Sequence, residues 1–148
     1  MGQQGVPETV VEEALKEQRK HAPRPEVWVV FDRDEHGSWL AAIHRAQALG
    51  FKLAVSNPCF ELWGLLLHRD HTAPIHRHQA QRDLAQLHPG YHHDKSPWFD
   101  IDTVLAHLDD APRRSATLAR RAQEAGDPRG NPTTCFSDLF GRLKALAP

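Results

Sequence analysis

Cysteine, long apolar runs and an excess of one charge are what this sequence has least of. Only Cys59 and Cys135 occur among 148 residues, which excludes a disulfide framework and suits a reducing, cytoplasmic setting. No apolar stretch approaches the roughly 20 residues of a membrane span. The opening MGQQGVPETV has neither the basic start nor the apolar core of a secretion signal. The formal net charge is -1, so nucleic acid meets no overall attraction and would need a local basic patch. Internal repeats, low-complexity tracts and a glycine-rich phosphate loop are all missing.

What is present is an ordinary globular composition, 40% hydrophobic and 25% charged, enough for one domain with a modest core. Residues 8–20 carry Val10, Val11, Ala14 and Leu15 at helical spacing, after Pro7. Residues 27–31, VWVVF, are short, β-branched and aromatic, without alternation, which predicts a strand buried on both faces. A helix follows, with Trp39, Ala42, Ile43, Ala46 and Leu49 as its stripe, Ser38 as N-cap and Gly50 as its stop. FKLAVS is a second buried strand, and Asn57-Pro58 is expected to open the apolar helix CFELWGLLLH. Strand, helix, strand, helix is the rhythm of a parallel sheet. Beyond His71 strand signals stop, and helices are expected over 75–87, 101–108, 112–125 and 133–146. The chain therefore reads as a βαβα core over 1–70 and a mainly helical extension over 71–148.

The first strand runs into Asp32, Arg33, Asp34 and Glu35. Residues i and i+2 of a strand share a side, so Asp32 and Asp34 converge if the strand continues. They would sit at the carboxyl end of a parallel sheet, where open α/β folds place their ligands. Two such aspartates repel unless a proton or a cation intervenes, and a hard cation such as Mg²⁺ suits carboxylate oxygens. The second strand brings Ser56, Asn57 and Glu61 to the same rim. Against this, strand ends are polar because loops meet water, and an acidic residue near a helix start favours the macrodipole. Spacing alone leaves both readings open.

VWVVFDRDEH followed by LAVSNPCFELWGLLLH closely resembles the RloB-like family of bacterial phage-defence proteins, a relative of the Toprim fold, with SNPCFELW the most specific element. The likeness continues through Tyr91 and Lys95 in YHHDK and at 131–134, NPTT. It implies an abortive-infection role beside an ATPase of the AAA or ABC type, and cleavage of a nucleic-acid phosphodiester, RNA or DNA, with Mg²⁺ or Mn²⁺. Asp32 and Asp34 would match the metal-holding pair, with Glu61 as a further catalytic carboxylate and Asn57 and Lys95 on the substrate. The family pattern also implies a glutamate on an earlier strand. This chain starts at the helix before VWVVFDRD, with Glu8, Glu12 and Glu13 on that helix, so the expected fold is a Toprim-like parallel core, N-terminally incomplete, with a sheet edge unpaired. The alternative is a catalytically inactive regulator or assembly module that binds an ATPase partner. A small-molecule nucleotide binder at the same rim is a third reading.

Other features have blander readings. The histidines at 68, 71, 76, 78, 88, 92 and 93 match no zinc spacing and are expected to be solvated. Arg113, Arg114, Arg120, Arg121 and Arg129 either grip phosphates or form a solvated helix face. Trp28, Trp39 and Trp63 read as core, and Cys59 as a buried structural thiol.

Overall fold

The computed structural model describes residues 6–33 and 37–148. Its elements, in chain order, are α1 (Pro7–Gln18), β1 (Trp28–Asp32), α2 (Trp39–Ala48), β2 (Lys52–Asn57), α3 (Glu61–His68), α4 (Arg77–Leu87), α5 (Ile101–Ala106), α6 (Asp110–Glu124), β3 (Thr133–Thr134) and α7 (Phe136–Leu146). The class is mixed α/β, with seven helices and one three-stranded sheet of order β1-β2-β3 among the described residues.

β1 and β2 pair in parallel, Phe31 opposite Val55 and Asp32 opposite Ser56, and the ladder extends one residue further through Arg33 N to Ser56 O at 2.9 Å. α2 makes the crossover. Gly50, at φ 73°, closes it in the left-handed conformation that a side chain would resist. Ser38 precedes the helix as expected but makes no capping bond with its side chain. α1 and α2 cover one face of the sheet, where Val11, Leu15, Val29, Phe31, Trp39, Ala42, Ile43, Ala46 and Val55 form one buried cluster. α3, α4 and α6 build a second cluster around Leu62, Trp63, Leu65, Leu66, Leu67 and Leu84. α3 is apolar all round because it lies inside this cluster, with residues 61–67 all buried. Its Gly64 lets α4 come close: a β-carbon there would lie 2.8 Å from Leu84 Cδ2 and 2.9 Å from Phe99 Cζ.

Four expectations need correction. β1 is not buried on both faces: Val29 and Phe31 are, but Val30 is 45% exposed, so the strand alternates. Asn57 does not cap a helix. It ends β2, and α3 begins four residues later at Glu61. Residues 133 and 134 are not helical: Thr133 and Thr134 pair antiparallel with Asn57 and Ser56, and Thr134 Oγ1 meets Ser56 Oγ at 2.8 Å. β3 therefore makes the sheet mixed and occupies the outer edge of β2. No strand pairs the other edge of β1 among the described residues. Finally, His88 is not solvated. It is 2% exposed, with Nδ1 2.9 Å from His68 Nε2 and Nε2 accepting from Asp100 N at 2.7 Å.

Candidate functional site

The carboxyl ends of β1 and β2 lie side by side because the strands are parallel and in register. Asp32 is half-buried at the tip of β1. On β1 it alternates to the side of Val30, away from the α1–α2 cluster that takes Val29 and Phe31. Asp34 lies outside the described residues.

Glu61, at the first position of α3, is only 5% exposed. A carboxylate taken out of water requires donors. Tyr91 Oη donates to Glu61 Oε1 at 2.7 Å, and Gln81 Nε2 approaches the same oxygen at 3.4 Å. Both donors are neutral, and no Lys, Arg or His pairs with Glu61 among the described residues. Cys59 closes the group from the turn before α3. Burial, and then the neighbouring Glu61 charge and hydrogen bond, push its thiol well above the ordinary range, so it stays protonated. Burial also raises the Tyr91 phenol, followed by its hydrogen bond to Glu61. The Asp32 carboxylate contributes to both shifts, which places it electrostatically within the same group.

The structure thus brings Asp32 and Glu61 to one rim, joined by Cys59, Tyr91 and Gln81. Asn57 is buried at the end of β2, where Nδ2 donates to Arg129 O at 2.8 Å. That bond gives Asn57 a structural duty at the strand end. Lys95 is exposed in the turn between His92 and Ser96, whose backbones pair. Its loop starts at Tyr91, so YHHDK and SNPCFELW, distant in sequence, meet through the Tyr91–Glu61 bond. Arg114 is turned inward and not to solvent: Nη1 donates to Leu66 O and Leu67 O at 2.8 and 3.2 Å, satisfying carbonyls at the end of α3.

Sequence reasoning missed Gln81, and it missed Cys59 and Tyr91 as neighbours of the carboxylates. Tyr91 carried a signal: it is the one tyrosine of the chain, set in a polar stretch. Gln81 carried none.

Among the described residues no three of His, Cys, Asp and Glu are grouped to hold a metal ion. The donor chemistry nevertheless fits a hard cation: Asp32 and Glu61 offer carboxylate oxygens, and the one soft group nearby, Cys59, is a protonated thiol. No helix of the described residues is long and apolar enough to cross a membrane.

In open α/β sheets the carboxyl edge of parallel strands is where ligands bind. This chain belongs to the RloB-like family: the family model described as "RloB-like protein" matches residues 1–143. No curated protein and no solved structure matches the chain.

Proposed function

We propose that this protein is a Toprim-related, metal-dependent phosphodiesterase acting on nucleic acid in an abortive-infection response to phage. The observation that carries this reading is Glu61. A buried carboxylate held by neutral donors and, among the described residues, by no cation, beside Asp32 at the carboxyl edge of a parallel pair, is costly unless the site uses its charge. Asp32 and Asp34 would hold Mg²⁺ or Mn²⁺, which supplies polarisation of a phosphoryl oxygen and stabilisation of the charge that develops there. Tyr91 and Gln81 orient Glu61 by holding its Oε1. Lys95 and Asn57 are the candidates for contact with the substrate. An ATPase of the AAA or ABC type is the partner that the family resemblance suggests.

The test uses the full chain and end-labelled RNA and DNA oligonucleotides with Mg²⁺. Cleavage that EDTA stops and that Asp32→Asn lowers by about a hundredfold or more supports the assignment. Cleavage unchanged in Asp32→Asn overturns it.

One observation favours the second reading, an assembly module without catalysis. The edge of β1 is unpaired among the described residues and Val30 is 45% exposed beside it, which suits addition of a strand from a partner. Co-purification with an ATPase by a chain that shows no cleavage would select this reading.

A further inference from the structure

At the tip of β1, a cleft of about 280 Å³ is lined by Arg33, Asn57, Pro58, Ile75, His76, Arg77 and Asn131. Among the described residues its lining holds two arginines, a histidine and two amides, and no acidic side chain. We infer that this cleft binds a backbone phosphate of the nucleic acid, next to the one at the carboxylate rim. The inference rests on the phosphodiesterase reading and names a second contact for the same substrate.

The cleft is held in shape by the surrounding chain. Arg33 directly follows Asp32, and its backbone continues the ladder to Ser56. Its guanidinium lies over the Trp39 ring at 5.5 Å, and Trp39 itself is 4% exposed, so a fixed aromatic surface positions the charge. Such stacking leaves the edge N–H groups of the guanidinium available for an oxyanion. Asn131 clamps the opposite wall, accepting from Ile75 N at 3.0 Å and donating to Ile75 O at 2.8 Å. This ties the segment before α4 to the segment before β3. His76 precedes α4 and accepts the His78 N–H on Nδ1 at 3.3 Å, which leaves Nε2–H as its remaining donor. Arg77 follows at the first helical position and has other interactions within the protein.

Size narrows the ligand. Pockets that enclose a whole small molecule run from roughly 300 to 1,000 Å³. At about 280 Å³ the cleft lies at the small end of that range, with room for one phosphate group of a longer chain. Position narrows it further. Arg33 directly follows Asp32 at the strand end, so a polynucleotide crossing this rim would meet the carboxylates with one phosphate and the cleft with another.

The experiment measures binding apart from cleavage. Fluorescein-labelled single-stranded DNA and RNA oligonucleotides are titrated with the full chain in EDTA, by anisotropy, over a series of salt concentrations. Arg33→Gln is expected to weaken binding about tenfold and to lower the salt slope by about one. Arg33→Lys keeps the charge and should restore the slope while recovering only part of the affinity. Arg82→Gln, on α4 outside the cleft, should bind as the parent does. Arg33 is exposed, so unchanged melting temperature in all three variants confirms that folding is not the readout. Parent affinity and slope in Arg33→Gln overturn the cleft, as does a parent chain that binds neither oligonucleotide. Weakened binding by Arg33→Gln, in a protein that never cleaves, keeps the cleft and sinks the phosphodiesterase reading alone.

Discussion

The two clusters that sandwich the sheet differ in what they bury. Under α1 and α2 the enclosed side chains are apolar, from Val11 to Val55. Around α3 the enclosure also takes in Glu61, Gln81, His88, Ser115 and Ser137. Apolar packing is enough to hold two helices on a sheet, so one side serves as scaffold. The other side carries polar groups whose burial must be matched bond by bond. Trp63 Nε1 donates to Ser137 Oγ at 2.8 Å, His88 Nε2 accepts from Asp100 N while its Nδ1 meets His68 Nε2, and Glu61 accepts from Tyr91. The difference locates the chemistry. Changes on the scaffold side should cost stability alone, whereas changes around Glu61 should alter stability and activity together.

The largest stability effect is expected on the scaffold side. Ile43 is 1% exposed, and Ile43→Ala should lose about 2–5 kcal/mol in urea unfolding, with cleavage per folded molecule unchanged. A cleavage defect in the folded variant would break the division between the two sides. Tyr91→Phe comes next. It removes the 2.7 Å donor to a buried carboxylate and should cost about 1–3 kcal/mol, together with a fall in cleavage. Stability lost without any change in cleavage would reduce Glu61 to a structural group.

The smallest effect is set by pH. Burial holds the His68 and His88 imidazoles below the ordinary value of 6.5, and for His68 the neighbouring His88 and His107 push the same way. An unfolded chain therefore takes up protons on these groups first as the pH falls. Their contribution to stability is present above about pH 6.5 and is lost progressively as the pH drops toward the folded values. The melting temperature should fall between pH 7.5 and 5.5, and less steeply in His68→Asn. Parallel profiles for the two proteins would contradict the assignment.

Much of this arrangement was legible in the sequence, where local pattern decided the outcome. The stripe of α2 and its Gly50 stop were readable, and so was the parallel β1–β2 pair. β1 looked buried on both faces because VWVVF does not alternate in polarity, yet only Val29 and Phe31 are covered. β3 was hidden because two threonines form a strand only by meeting Ser56 and Asn57, 78 and 76 positions earlier in the chain. Glu61 was marked by resemblance, but its donors come from α4 and the loop after it, which spacing does not reveal. The cleft was hidden for the same reason: it exists only where Asn131 holds Ile75.

The most direct test of the account is Glu61→Gln. The amide has nearly the same shape, and its oxygen can still accept from Tyr91, so the melting temperature should change by only a few degrees. The account predicts that Mg²⁺-dependent cleavage by this folded variant falls about a hundredfold or more. Cleavage at the parent rate would show that the buried carboxylate has no part in the reaction.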